Sequence, residues 1–496
     1  MYLEVIDIMW NKENLHNLIK ERFADYHLIV VSNREPYIRN YVAGKIKCEA
    51  AVGGMTTALD SIMRATDGLW IAYGNSKADK EAVDFNSKVR VPLEEPFYTL
   101  KRVWLTRKQI KDYYYGFSNQ ALWPLCHSTY VQPVFNKSQW DAYQEVNNIF
   151  TRKILEEVGN RKTLVFIQDY HFALVPRLIK EVRPDITIAQ FWHIPWPRQL
   201  VFSACPWQKE ILNGLLGNDL LGFQTVRHCR NFLTTVNRTL EASVNYEKAE
   251  VNCNESKTIV GCFPISIDFE QLSHDAQSDE VKQEIKRLRQ NYSLGDKYVA
   301  ISIDRLDYTK GIPQRLLAID RFLDKWPDYR GKLSFIAVQV PSRDEIPSYK
   351  KLHKRVNTLI EGINSKHASG NWKPIITLDG PLPSDTLSAL MNMADLCIVS
   401  PLHDGMNLVA KEFVASRSGN DGILILSSLA GAARELDDAL LINPLAIDQF
   451  AESIKKALDM PEWQIRRRMR RKRHIVRENN IYKWAADIFS RLAELK

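Results

Sequence analysis

No apolar run among the 496 residues approaches the roughly 20 that a helix needs to cross a bilayer, so no membrane-spanning helix is expected. The first residues carry Glu4, Asp7, Lys12, Glu13 and Lys20 rather than the pattern of a secretory leader, and a cytoplasmic location is expected. Cysteine pairs are missing too. Seven cysteines stand singly at 48, 126, 205, 229, 253, 262 and 397 with no Cys-x-x-Cys among them, which predicts neither a disulfide framework nor a zinc site. The eleven histidines include no His-Glu-x-x-His. Asp169 and His171 would by themselves supply only two ligands; no metal and no cofactor is expected. Internal repeats and low-complexity tracts are absent, apart from one arginine-rich run at 466–473. That run holds seven basic residues, and taking those seven from the net charge of +8 leaves +1. A basic helix either binds a polyanion or an anionic membrane, or simply forms a solvated face. No recognisable DNA- or RNA-binding motif accompanies it, so neither a nucleic acid nor a membrane is an expected partner.

What is present points to an α/β protein. The chain is too long for one core. Apolar strand segments are predicted at 27–32, 69–73, 99–105, 164–169, 186–193 and 220–224, several of them continuous runs of the kind buried on both faces. Helical patterns at 140–157 and 206–216 separate them. After a break near 262–268 a second series follows at 298–303, 333–340, 375–378, 396–400, 423–427 and 439–442, with helices at 279–290 and 349–361. Two successive β/α alternations predict two doubly wound, Rossmann-like parallel-sheet domains facing across a cleft, where two substrates could meet. The boundaries are read as 1–265, 266–465 and a C-terminal helical segment, 466–496, returning to the first domain. The first 25 residues read as an amphipathic helix containing Met9, Trp10, Leu15 and Leu18.

Two strand-to-helix turns of the second domain carry chemistry. In Ser400-Pro-Leu-His-Asp-Gly-Met-Asn-Leu-Val-Ala-Lys-Glu412 an apolar strand gives way to a Gly-containing turn and a helix, which aims N–H groups and a helix dipole at one point. Asp404 and Glu412 flank that turn. Carboxylates repel phosphate, so they fit neutral hydroxyls instead, Asp404 on a sugar and Glu412 on a ribose, as in a nucleotide-sugar site. About a hundred residues earlier, Arg305 and Lys310 end a strand in Ile301-Ser-Ile-Asp-Arg-Leu-Asp-Tyr-Thr-Lys-Gly311. Two cations at a strand's carboxyl end match a diphosphate leaving group; the alternative is a salt-bridged surface turn.

The first domain offers an acceptor side. Ser32-Asn-Arg34 follows its first strand, and Gly53-Gly54 precedes a helix in a possible phosphate-cradling turn. The aromatic stretch Tyr113-Tyr-Tyr-Gly-Phe-Ser-Asn-Gln-Ala-Leu-Trp-Pro124 reads either as core or as a sugar platform. His193 at a strand lip is a candidate sugar-hydroxyl partner or a satisfied core histidine. Arg343, in Val340-Pro-Ser-Arg, together with Arg34 could clamp a phosphorylated acceptor through bidentate bonds.

Taken together, the motifs SNR, GG, YYxxFSNxxLWP, DYH, HIPWP, RLDYTKG, PSR and DGMNLVAKE, in that order over about 27–490, resemble those of the trehalose-6-phosphate synthase family, the retaining glycosyltransferase family 20 with the GT-B fold. The resemblance implies transfer of glucose from a nucleotide-glucose, with UDP-glucose favoured, to glucose 6-phosphate. It implies that Arg305 and Lys310 hold the diphosphate with the N–H groups of Leu408 and Val409 and the Gly53-Gly54 loop. Glu412 would take the ribose, and Asp404 and His193 the glucose hydroxyls. Arg34, Tyr114, Trp123, Asp169 and Arg343 match the acceptor residues. No metal is implied, and the leaving diphosphate serves as base. Three positions depart from the family's pattern: Gln168 where His is usual, Tyr73 where Trp is common, and His403 where Arg is usual. The alternatives are a glucosylglycerol-phosphate synthase using ADP-glucose and glycerol 3-phosphate, and a non-catalytic sugar-phosphate sensor. A homo-oligomer is possible, and a separate phosphatase is expected to act on the product.

Overall fold

A strand without a polar face must be covered on both sides, and this requirement shapes the fold. The computed structural model describes residues 9–42, 45–50, 54–74, 76–92, 95–253 and 256–495. They form two compact units: one runs to Ile265 and takes in Asn480–Lys496, and the other is Ser266–Asn479.

In the first unit a ten-stranded sheet has seven parallel strands at its centre, in the order Ser256–Cys262, Leu220–Phe223, Thr187–Trp192, Thr163–Gln168, His27–Ser32, Leu69–Tyr73 and Tyr98–Val103. Every residue of Thr163–Gln168 is buried, and each fully buried large apolar side chain contributes about 1.5–3 kcal/mol. Ser243–Asn245 and Glu250–Cys253 extend one edge antiparallel, and Lys88–Val91 extends the other. No sequence pattern announces these edges, nor the hairpin of Tyr37–Val42 with Lys45–Ala50.

The second unit is a six-stranded, all-parallel sheet in the order Ile375–Asp379, Leu333–Val340, Tyr298–Arg305, Leu396–Val399, Ile423–Ser427, Leu440–Ile442. Helix Ile312–Lys325 lays Leu316, Ile319 and Phe322 into a core shared with Phe335, Ile398, Ile425 and Phe450.

Both chain ends differ from expectation. Met9 and Trp10 precede the first described helix, Lys12–Phe23, because Asn11 caps it by accepting the Asn14 N–H at 2.8 Å. The segment expected as one piece over 466–496 is two helices split at Asn479–Asn480. Glu462–Glu478 belongs to the second unit and Ile481–Ala493 to the first. The second helix is tied there by Phe489 against Phe23, with ring centroids 5.9 Å apart, and by Asn480 donating to the Trp10 carbonyl at 2.7 Å. The arginine run lies on the first helix and is partly structural. Arg473 donates to the Val414 and Ala415 carbonyls at 3.1 and 2.6 Å, and Arg468 to the Asp438 carbonyl at 2.9 Å. Val414 and Ala415 sit in the last turn of helix Leu408–Ser416, where carbonyls and the helix dipole both favour a cation. No described helix is long and apolar enough to cross a membrane.

Candidate active site

In the second unit the expected cations stand at a strand's carboxyl end. Tyr298–Arg305 ends at Arg305, which is half-buried, and a 3-10 turn at Tyr308–Lys310 leads through Gly311 into helix Ile312–Lys325. Gly311 has φ +63°, and a Cβ there would lie 2.1 Å from the Ser400 carbonyl oxygen. Only glycine lets this turn approach the end of strand Leu396–Val399 so closely. The Leu402 N–H donates to the Thr309 carbonyl at 2.7 Å and latches the two turns together.

Beneath the turn lies Asp307, fully buried. It accepts from the Thr309 N–H and hydroxyl (both 3.0 Å), the Tyr349 hydroxyl (3.0 Å) and Arg343 Nη1 (3.3 Å). Burial alone would raise its carboxyl, but the Arg343 and Arg305 guanidiniums and the Thr309 N–H reverse that and hold it below the usual range. Arg343 follows strand Leu333–Val340 with φ +54°, and its Nη1 also donates to the Tyr349 hydroxyl at 2.6 Å.

Above the turn, Lys310 Nζ is 2.6 Å from Asp404 Oδ2, which also accepts from Asn407 Nδ2 at 3.1 Å. The Asp404 backbone is pinned by the Gly431 N–H at 3.1 Å. A Cβ on Gly431 would come within 1.9 Å of the Gly405 carbonyl oxygen, so this approach also demands glycine. Asn407 caps helix Leu408–Ser416 by accepting the Ala410 N–H at 3.3 Å. The N–H groups of Leu408 and Val409, in the first helical turn, have no acceptor among the described residues. Glu412, one turn on, has no described partner for its carboxylate, and burial pushes it up to about 7. A cation, a carboxylate, free N–H groups and a neutral-range carboxyl thus surround one turn.

In the first unit, Arg34 is exposed just past strand His27–Ser32. Its carbonyl accepts from the Ser32 hydroxyl, which in turn accepts from the Trp70 indole N–H at 2.7 Å. The aromatic stretch forms a π-helix, Ile110–Leu122, continuing as Trp123–His127. The Trp123 N–H reaches back to the Ser118 carbonyl, and the Asn119 and Gln120 side-chain amides reach the Tyr114 and Tyr115 carbonyls at 2.7 and 3.0 Å. Such wide turns are rare and frequent at functional sites. They separate the two readings of the cluster. Tyr113 and Phe117 are core, with the Tyr113 hydroxyl donating to Asn33 Oδ1 at 2.9 Å. Tyr114 is half-buried and stacks on His171 at 5.8 Å and 14°. Trp123 is largely buried, 5.9 Å from the Tyr170 ring. Tyr73 is half-buried at the end of Leu69–Tyr73.

Asp169 and His193 come together at the ends of neighbouring parallel strands. Asp169, at φ +71°, accepts the His193 N–H at 3.1 Å through Oδ1 and donates its own N–H to the Phe191 carbonyl at 2.7 Å. His193 Nε2 lies 2.8 Å from Oε1 of the fully buried Gln168. Burial lowers the imidazole to about 3, so it is neutral at any working pH. Phe191, at 4.6 Å, and Trp484, at 6.4 Å, flank the ring. Gly54 starts helix Gly54–Thr66, while Gly53 lies outside the described residues. The sequence reading missed Asp307, Tyr349, Asn407 and Gln168 as partners of site residues. Asp307 and Asn407 lie inside the motifs, whereas Tyr349 gave no signal of its own.

Among the described residues one grouping has metal-ligand geometry, Asp320, Asp324 and His367. Lys366 Nζ already stands 3.0 and 2.5 Å from the two carboxylates and offsets one of their two charges.

A family model described as glycosyltransferase family 20 matches residues 26–494. A bifunctional trehalose-6-phosphate synthase/phosphatase of Thermoproteus tenax is 38% identical over 480 residues, covering 95% of this chain and 64% of that protein. A trehalose-6-phosphate synthase of Mycobacterium sp. (strain JLS) is 36% identical over 482 residues, covering 95% and 97%. Among solved structures, an alpha,alpha-trehalose-phosphate synthase (UDP-forming) from Burkholderia xenovorans in complex with glucose-6-phosphate superposes with a TM-score of 0.85 at 28% identity, covering 94% of this chain and 99% of that one. An E. coli protein bound with UDP-2-fluoro glucose gives 0.84 at 28% identity, covering 94% and 99%.

Proposed function

The chain belongs to glycosyltransferase family 20, and from that premise we propose that it is a retaining glucosyltransferase of GT-B fold, moving glucose from UDP-glucose to glucose 6-phosphate. The products are trehalose 6-phosphate and UDP. The observation that carries the reading is the turn where Lys310, Asp404, the Leu408 and Val409 N–H groups and the unpartnered Glu412 converge. The relatives' names and the ligands of the solved neighbours support the choice of substrates.

Each residue then has a task. Lys310 and Arg305 take the diphosphate, joined by the Leu408 and Val409 N–H groups and by Gly53 and Gly54. Asp404 and His193 take glucose hydroxyls, and Glu412 takes the ribose. Arg34, Tyr114, Trp123, Asp169 and Arg343 take the glucose 6-phosphate. The C1–O bond to the diphosphate breaks as the acceptor oxygen bonds to C1 on the same face. The acceptor hydroxyl's proton passes to the departing phosphate oxygen. Negative charge grows on the diphosphate in that transition state, and preplaced cations and N–H groups lower its energy most there.

The test is nucleotide release with UDP-, ADP- and GDP-glucose, each offered glucose 6-phosphate or glycerol 3-phosphate, with products identified by mass. UDP release that depends on glucose 6-phosphate and gives a disaccharide phosphate is expected. Release only with glycerol 3-phosphate would move the chain to the glucosylglycerol-phosphate reaction. Saturable binding without release would leave a sensor.

A further inference from the structure

Seven cysteines stand apart in the sequence, but the first unit brings two of them into contact. Cys229 lies on helix Val226–Thr239, buried, with its sulfur 3.4 Å from the Gly261 carbonyl oxygen. Gly261 immediately precedes Cys262, the last residue of strand Ser256–Cys262, and the Cys262 thiol lies close enough to Cys229 to raise the pKa of the Cys229 thiol. The two residues differ in access. Cys229 is sealed, whereas Cys262 is half-buried and lines a cavity of about 390 Å³. Lys248, Arg491, Asp487 and Glu494 line the same cavity. Arg491 pairs with Glu494 and Lys483 with Asp487, while the exposed Lys248 ammonium has no described carboxylate partner. A half-buried thiol lining a cavity that an ammonium also lines, with a second thiol beside it, is the arrangement of an attacking and a resolving cysteine.

We propose that Cys229 and Cys262 form a reversible intramolecular disulfide when the protein meets a peroxide. The Cys262 thiolate attacks one peroxide oxygen, the O–O bond breaks, and a sulfenic acid forms with release of water once the thiol's proton is returned. The Cys229 sulfur then attacks the Cys262 sulfur, the S–O bond breaks, and a second water leaves with the Cys229 proton. The two sulfurs together give up two electrons, which reduce hydrogen peroxide to two waters. A dithiol reverses the bond by exchange. The crosslink ties the helix to the end of the strand, just ahead of Ile265, where the first unit's main segment stops. Cys126 and Cys205 serve as an internal comparison, because both are fully buried and no oxidant reaches them.

The test uses the full-length protein, folded, with a small excess of hydrogen peroxide, then alkylation, thiol counting and peptide mapping. Accessible thiols counted after unfolding should fall by two from seven, with Cys229 linked to Cys262, and a dithiol should restore them. Cys229→Ser should leave Cys262 as a sulfenic acid trapped by a cyclic 1,3-dione. Cys262→Ser should leave Cys229 unreacted. An unchanged thiol count in the wild-type protein, a link between other cysteines, or dione labelling elsewhere would overturn the proposal. The wild-type measurement decides even where a variant folds poorly, and it does not depend on the substrates.

Discussion

Lys310 Nζ sits 2.6 Å from Asp404 Oδ2, with both side chains mostly buried. The cation assigned to the donor's diphosphate and the carboxylate assigned to its glucose therefore hold each other. A cation removed from water needs a counter-charge, and Asp404 supplies one. The pair also keeps the Lys310 ammonium over the turn, so little reorganisation accompanies binding.

Lys310→Ala should lower kcat/KM for UDP-glucose about 10²–10³-fold, the usual loss for one transition-state charge contact. Asp404→Asn should cost as much in kcat while donor affinity changes less, because the neighbouring cation is freed for phosphate. Steady-state UDP release measures both. Near-normal turnover in Lys310→Ala would remove it from the diphosphate site.

Glu412 carries a sign that can be checked. Its folded-state pKa, about 7, lies above the ordinary value of 4.5, so the folded protein holds an extra proton between those two values. Stability from this group is therefore greatest at low pH, falls as pH rises from about 4.5 to 7, and is flat above. Glu412→Gln should remove that slope and stabilise the protein above pH 7 by on the order of 2 kcal/mol, seen in denaturant melts across pH. It should also weaken donor binding, since the ribose needs the ionised carboxylate. Donor affinity in the wild type should drop as pH falls through about 7, a limb that Glu412→Gln abolishes.

Asp307→Ala should destabilise the second unit by about 3–5 kcal/mol, because it leaves Arg343 and the Tyr349 hydroxyl buried around an absent charge. Arg343→Ala should raise KM for glucose 6-phosphate and also destabilise the second unit, because it leaves the buried Asp307 carboxylate without its guanidinium partner. Melts and acceptor titrations separate the two effects. An unchanged acceptor KM in Arg343→Ala would take it out of the acceptor site.

Gln168 should act on turnover through His193. Gln168→Leu removes the partner of His193 Nε2 and should reduce kcat about tenfold, the loss of one buried hydrogen bond. Gln168→Glu should raise the imidazole pKa by placing a carboxylate beside it, which ¹⁵N shifts of His193 would report. Unaltered shifts in both variants would show that the amide does not fix the ring.

Much of this was legible from the chain. Continuous apolar runs such as Leu164–Ile167 predict strands covered on both faces, since no other environment satisfies both sides of the strand. Arg305, Lys310 and Glu412 were readable because they follow such strands at turns where glycine and free N–H groups cluster. Less legible was the π-helix at Ile110–Leu122: its rings carry no periodicity that distinguishes core from platform, and the wide turns depend on side-chain amides bonding five residues back. The division of 466–496 into two helices was equally hidden, because helical patterning runs on through the break at Asn479–Asn480.

By itself the sequence determined the element order, the turns that carry the chemistry and the residue types held there, because those follow from local patterning and nearest-neighbour geometry. Only the tertiary structure decided which groups meet across long separations: Lys310 with Asp404, Asp307 with Arg343 and Tyr349, His193 with Gln168, and Cys229 with Cys262. The reason is physical. A strand end fixes where a side chain starts, but its partner and its degree of desolvation depend on which strands the sheet sets side by side. Those two quantities govern charge and pKa, which no stretch of chain carries alone.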